Sequence, residues 1–322
     1  MEILLEQENG LKLKNNLWED NMKKTKTIFM IVLVLIFTVI INASSNTKIL
    51  KDGLGRTVVL PQNPQRVLAL NSNTMEALFN LGFTPVGKVQ NYQIRPEGIQ
   101  LPSVGSQGNI NIEAIYKLQP DLIIAHSRQQ PHLLEALEST GAAVFYHNPD
   151  LGNIPTLYIV EFLGNLFDRQ QYAKNYIDSI QEISKNLSKE ISEKTDIKTA
   201  IIISDGDTIT AAQRSTGYGA VLQMLGLENI VPANLPDSTR STFVNFDIET
   251  ILRENPDVVF IVTDSNNDNY NQTVLNKYKN DPMWKWLNAA KEEKIMILPH
   301  VVNANRASFA DMLKITAQTI LK

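Results

Sequence analysis

Two glutamates stand at matching places in two copies of one short pattern. GNINIEAIYKLQPDLIIAH (108–126) and NFDIETILRENPDVVFIV (245–262) each read as a short helix with one early carboxylate, Glu113 or Glu249, then Pro-Asp, then a buried strand. A carboxylate in the first helical turn is favoured by the partial positive charge of the helix N-terminus. One such charge in each copy could equally fix the register of a docked partner. The other residues able to do chemistry follow the strands, where ligands of open α/β sheets bind. They are Asn71 and Ser72, then His126, Ser127 and Arg128, then Asp205 to Asp207, and His300. A neutral imidazole at His126 can ligate haem iron or serve as a hydrogen-bonding group. No Gly-x-Ser-x-Gly elbow, His-Glu-x-x-His, Walker loop or Gly-x-Gly-x-x-Gly follows any strand, so an enzyme is not expected.

The elements that must position these residues alternate. RVLAL (66–70), DLIIA (121–125) and AAVFYH (142–147) read as buried strands, with helices at NTMEALFNLG (73–82) and PHLLEALESTG (131–141). Asn73 or Ser72 is the expected N-cap of the first helix and Gly82 its terminator. Between 154 and 194 no strand pattern occurs. Leu157, Val160, Leu163 and Phe167 mark one helix, and Asp168 is placed to cap a longer one with the apolar stripe Tyr172, Tyr176, Ile180, Ile183, Leu187, Ile191. Such a helix of about 26 residues would span about 39 Å, the length of a domain. The α/β pattern then resumes at KTAIIIS (198–204), GYGAVLQMLGLENI (217–230) and KIMILPH (294–300), and NRASFADMLKITAQTILK (305–322) closes as a helix with Phe309, Met312, Leu313 and Ile320 inward. The expected fold is therefore α/β: two Rossmann-like lobes with open, mainly parallel sheets, 46–153 and 197–322, joined by a rigid helical strut, 154–196. A ligand cleft is expected between them.

The 322 residues, 43% hydrophobic, are enough for cores of about two domains. A net charge of -4 and the lack of a basic stripe argue against nucleic acid as a partner. There is no cysteine, which excludes disulfides, thiolate metal sites and lipid attachment through an N-terminal cysteine. MKKTKTIFMIVLVLIFTVIINASSN from Met22 has the cationic, apolar and small-residue regions of a secretory signal, expected over 22–45 with Ala43 and Ser45 at cleavage positions. The protein is thus expected to be exported to a periplasm, or held on the outer face of the membrane if this segment is not cleaved. Residues 1–21, acidic and rich in asparagine, precede the signal and are expected to be an upstream extension that is not translated.

LGRTVVLPQNPQRVLAL, LGFTPVGK, NIEAIYKLQPDLIIA, VLQMLGLENI and IETILRENPDVVFIV, in this order and spacing, resemble the substrate-binding proteins of ABC importers for iron-siderophore complexes, haem and cobalamin. The resemblance covers residues 50 to 322. It implies a two-lobed, monomeric binder that captures a small metal chelate and passes it to a membrane permease and its ATPase. It further implies that Glu113 and Glu249 dock to the permease, one per lobe. Tyr92, His126, Phe243 and Arg306 fall where cobalamin-binding members place cleft residues, but tryptophans that those members use at two such places are missing here. Aromatic faces with one arginine suit a flat or bulky anionic chelate through stacking and charge-assisted hydrogen bonds. A ferric siderophore is the expected ligand, haem or cobalamin the alternative, and no covalent cofactor is expected. If haem were bound, His126 would be the candidate iron ligand. Arg128, Tyr218, His300 and Arg214 complete the candidate binding residues.

Overall fold

The computed structural model describes residues 47–149, 151, 152, 154–233, 235 and 242–322, together with 22, 26 and 30. Apart from those last three positions, the expected upstream extension and signal segment lie outside the described residues. No helix among the described residues is long and apolar enough to cross a membrane. Ile49–Lys322 forms one compact unit and Met1–Lys48 another.

The first half of the large unit runs β1 (Thr47–Lys51), β2 (Thr57–Pro61), β3 (Val67–Ala69), α1 (Ser72–Asn80), α2 (Pro96–Ile99), β4 (Gly105–Ser106), β5 (Asn109–Ile110), α3 (Ile112–Leu118), β6 (Leu122–His126), α4 (Leu134–Glu138) and β7 (Ala143–His147). Strands β3, β6 and β7 form its sheet, wholly parallel, with Val67 opposite Leu122 and Ile123 opposite Val144. These strands are near-continuous apolar runs because both faces are covered.

Two helices follow, α5 (Pro155–Leu166) and α6 (Gln170–Lys194). The 25 residues of α6 reach about 37 Å. They carry apolar side chains into both halves: Ala173 belongs to the first core, Ile180 and Ile191 to a second, and Tyr176 packs against both. From α5, Ile159, Val160 and Leu163 enter the first core, while Leu157 and the preceding Ile154 pack on the second. Asp168 does not cap α6 as its position predicts. It takes a left-handed conformation with φ 55°, and Arg169 stands at the N-cap without a side-chain bond. Tyr172, expected at the head of the apolar stripe, is 49% exposed.

The second half runs β8 (Thr199–Ser204), β9 (Thr210–Ala212), α7 (Gly217–Met224), β10 (Glu228–Asn229), β11 (Phe243–Asn245), α8 (Ile248–Glu254), β12 (Val258–Val262), α9 (Asp268–Asn280), α10 (Asn288–Lys291), β13 (Ile295–Leu298) and α11 (Phe309–Ile320). Its sheet has the order β11-β9-β8-β12-β13, with β10 on the remaining part of the β8 edge. The β8, β10, β12 and β13 pairings are parallel, and β9 pairs antiparallel to both β8 and β11. Alternation along the strands divides the interior: Ala200, Ile202 and Phe260 face the core that holds Phe309, Met312, Leu313 and Ile320 of α11, while Ile201, Ile203 and Ile261 face one with Val274, Tyr278 and Trp284. Strands β9 and β11, three residues each, and the polar helix α9 are too short or too weakly patterned to be read from the sequence.

The repeated helix-Pro-Asp-strand unit is present in both halves, and its spacing has a backbone cause. Helices α3 and α8 are seven residues each, capped by Asn111 and Asp247 and closed by Gln119 and Asn255 in the left-handed region, φ 46° and 45°. Pro120 or Pro256 then prevents the helix from continuing. The following aspartate reaches the neighbouring strand. Asp121 accepts the backbone N–H groups of Gln65 (2.6 Å) and Arg66 (3.0 Å) ahead of β3, and Asp257 those of Lys198 and Thr199 (both 2.8 Å) at the start of β8. Burial works against the charged form of Asp257, but these N–H bonds hold its carboxyl below the usual range.

Candidate functional site

Each lobe sends the ends of its strands toward one cavity of about 220 Å³. From the first half come Asn71, Ser72 and Asn73 after β3, His126 at the end of β6 with Arg128 and Gln129 after it, His147 at the end of β7 with Asn148 after it, and Gln107 from the β4–β5 turn. From the second half come Ser215, Thr216, Gly217 and Tyr218 at the head of α7, Thr242 beside β11, and Asn303, Ala304 and Asn305 in the loop before α11. Pro155, Thr156, Tyr158 and Ile159 of α5 form the back wall.

The first-half wall carries two imidazoles that burial keeps neutral, within a network of hydrogen bonds. Asn71, rather than Asn73 or Ser72, is the N-cap of α1: its Oδ1 accepts the Thr74 N–H at 2.9 Å, and its amide nitrogen lies 3.2 Å from His147 Nε2. The His126 and His147 rings meet edge to face with centroids 4.8 Å apart. His126 Nδ1 accepts the backbone N–H of Arg128 at 3.2 Å. Burial, and then the Arg128 charge, push His126 from 6.5 down to about 4. Burial, and then His126, push His147 down to about 3. Neither ring can carry charge near neutrality. Gln130 braces this wall from behind, its amide nitrogen donating to the carbonyls of Leu70 and Gln107, both at 3.1 Å.

Across the cavity, Tyr218 is only 5% exposed, and its hydroxyl has no hydrogen-bond partner among the described residues. Burial pushes its phenol up to about 12, partly offset by nearby Asn303. Phe243 lies against the Tyr218 ring at 5.5 Å and so supports the cleft from behind rather than lining it. Gly219 is forced: a Cβ there would stand 2.2 Å from the Gln213 carbonyl oxygen.

The two halves are latched at one end of the cavity. Asn305 Oδ1 accepts from Ser72 Oγ at 2.7 Å and from Gln107 Nε2 at 2.8 Å, and its carbonyl accepts the Gln93 N–H at 2.7 Å.

Of the residues read from the sequence, Asn71, Ser72, His126, Arg128 and Tyr218 are brought together in the cleft. Tyr92 is not: it is fully buried, donates to Glu76 Oε1 and stacks on Phe79, so it is a core residue. His300 and Arg306 do not line the cavity, because the loop after β13 turns so that Asn303 to Asn305 face it instead. The Arg306 backbone N–H is used inside that loop, donating to the Asn303 carbonyl at 2.8 Å. Asp205 to Asp207 also stay out of the cleft. Asp205 is held on α9 by Lys277 Nζ (3.0 Å) and the Tyr270 hydroxyl (3.1 Å). Arg214 points away too, its Nε donating to the Val231 carbonyl at 2.7 Å. Glu113 and Glu249 are exposed, each the second residue of its helix. His147 and Asn148 were accessible to the same strand-end reasoning that located His126. Gln107, Asn303 and Asn305 sit in irregular loops with no such signal. No cluster of three or more His, Asp or Glu side chains able to hold a metal ion occurs among the described residues.

Residues 67–302 match the family described as periplasmic binding protein. The Fe(3+)-citrate-binding protein YfmC of Bacillus subtilis strain 168 is 22% identical over 258 residues, 78% of each chain. The same organism's YfiY, named a probable siderophore-binding lipoprotein, is 26% identical over 275 residues, covering 77% of this chain and 79% of its own. Among solved structures, the FhuD protein from S. pseudintermedius superposes with a TM-score of 0.69 at 19% identity, over 86% of this chain and 99% of that one.

Proposed function

The chain belongs to the periplasmic binding protein family, and from that premise we propose that it is the exported capture component of an ABC importer, holding a ferric siderophore in the cleft and delivering it to a membrane permease and its ATPase. The observation that carries this reading is the cavity itself, which both halves line with polar side chains at strand ends and helix heads. The names of YfmC and YfiY support iron chelates as the ligand class. Iron enters as cargo within its chelator.

Delivery requires orientation. Glu113 and Glu249 support it, since the duplicated units present one exposed carboxylate per half at the same helical position. Exposed charge pairs contribute little affinity individually but steer encounter and fix register. The Pro-Asp spacing around them is accounted for by strand anchoring, so docking accounts only for the two charges.

Absorbance and melting-temperature titrations with ferric siderophores, haemin and cobalamin test the capture role. A bound iron chelate raises the melting temperature without being consumed. A sharp Soret shift with haemin, and no response to siderophores, would replace the siderophore with haem.

A further inference from the structure

Resting on that capture role, we infer that His126 serves the cleft as a fixed hydrogen-bond donor through Nε2–H, and that neither it nor its neighbour His147 ligates iron.

A neutral imidazole has one N–H and one lone pair, and the group facing one nitrogen decides which nitrogen holds which. At His126 the deciding group is backbone. The Arg128 N–H can only donate, and it lies 3.2 Å from Nδ1, so Nδ1 supplies the lone pair and the proton stands on Nε2. Nε2 is at the tip of the ring, away from the main chain, and the ring belongs to the cavity wall.

His147 takes the opposite tautomer. Asn71 cannot be turned over, because its Oδ1 already accepts the backbone N–H of Thr74 at 2.9 Å. Its other terminal atom, 3.2 Å from His147 Nε2, is therefore the amide nitrogen, which only donates. His147 Nε2 accepts, and the proton of that ring stands on Nδ1. The two residues are partners across the β6–β7 ladder, and their rings meet edge to face. Burial keeps both uncharged, and the two fixed donors act in the same direction, since a second proton on either ring would face another donor.

A ferric ion needs a lone pair from its ligand. Both lone pairs of this pair are in use. Ligation through His126 Nε2 would need the proton moved to Nδ1, where it would oppose the Arg128 N–H. The root of the side chain is pinned as well: the His126 N–H donates to Gln130 Oε1 at 2.9 Å, and Gln130, fully buried, is held in turn by the carbonyls of Leu70 and Gln107. What His126 can offer a bound chelate is thus an N–H for an oxygen on its outer surface. Carboxylate, catecholate and hydroxamate chelators all present such oxygens, so this contact orients the chelate without choosing among them.

The first test needs no ligand. Long-range proton–nitrogen correlations of the whole protein, isotope-labelled at nitrogen and held at neutral pH, distinguish the two tautomers of each imidazole. His126→Gln and His147→Gln assign those two rings among the four histidines. The expected result is Nε2–H at His126 and Nδ1–H at His147. Nδ1–H or a charged ring at His126 would overturn the inference. The second test titrates ferric citrate, a ferric tris-hydroxamate and haemin, each followed by absorbance and calorimetry. For a chelate that binds, His126→Phe keeps a ring and removes the donor, and should weaken binding by about fivefold to tenfold. His126→Gln restores a nitrogen donor and should recover most of that loss. Parent affinity in His126→Phe would overturn the donor role. A haemin spectrum of imidazole-ligated iron that is present in the parent and lost in both variants would overturn the exclusion of ligation. Binding of none of the probes by protein that melts cooperatively would overturn the capture role and the donor role with it, whatever the tautomers.

Discussion

Replacing Asn305 with alanine should loosen the closed cleft by an amount the structure fixes. Asn305 Oδ1 is the common acceptor for Ser72 Oγ and Gln107 Nε2, at 2.7 and 2.8 Å, so the change breaks two bonds between the halves together. In the open form water would satisfy the same groups, and each bond therefore contributes only its net value, about 1 kcal/mol. The sum, about 2 kcal/mol, corresponds to about a thirtyfold shift of the closed-to-open ratio toward open. The backbone bond from Gln93 N–H to the Asn305 carbonyl survives the substitution, as do the contacts of α6 with both cores. The lobes should separate at the latch without detaching. Small-angle scattering of the ligand-free protein reads this as a larger radius of gyration, and saturating ligand should restore the compact value at a weakened affinity. Asn305→Asp keeps the acceptor for both donors and should stay near the parent. If Asn305→Ala matches the parent in scattering and in ligand affinity, the latch does not hold the cleft. If Asn305→Asp opens as far as the alanine variant, the accepted bonds are not its basis.

Further outcomes follow from other features. Glu113→Arg and Glu249→Arg should leave chelate affinity unchanged but reduce transport through the cognate permease, the double reversal most severely; transport that survives it would reduce both residues to helix-end charges. His126 and His147 titrate at 6.5 when unfolded but at about 4 and about 3 when folded, so the unfolded chain binds more protons in between. Stability should be complete above pH 6.5 and fall as pH drops toward about 4, by up to about 1.4 kcal/mol per pH unit for each ring. Denaturant melts across that range should show a shallower acid slope in His126→Gln with His147→Gln, and an identical slope would contradict buried neutral rings. Gly219→Ala places a methyl group 2.2 Å from the Gln213 carbonyl, against backbone that cannot yield cheaply, and should cost more than about 2 kcal/mol in the same melts. A variant as stable as the parent would mean that the head of α7 can shift.

The sequence by itself determined the elements that carry their own local signal. The apolar runs of β3, β6, β7, β8 and β12, short and bounded by turn residues, read as buried strands, and the long stripe through Ile180, Ile183 and Ile191 required a helix. Duplication of the helix-Pro-Asp-strand unit announced two related halves, because left-handed closure, proline and a strand-anchoring aspartate are all local backbone requirements. Strand-end reasoning reached Asn71, Ser72, His126 and Arg128 for the same reason, since a parallel strand fixes where its next residue emerges. Only the tertiary structure decided what faces the ligand beyond those ends. Tyr92 and Glu76 are 16 residues apart in the chain, and nothing short of the folded lobe makes them bonded partners in the core. Asp205 left the cleft because α9 brought Lys277 and Tyr270 to it across 72 and 65 residues. Asn305 became the latch because the loop before α11 meets Ser72 across 233 residues, a contact whose loop-closure entropy is offset only once both cores have formed. The neutrality of the imidazole pair is likewise a property of burial, which no spacing in the sequence specifies.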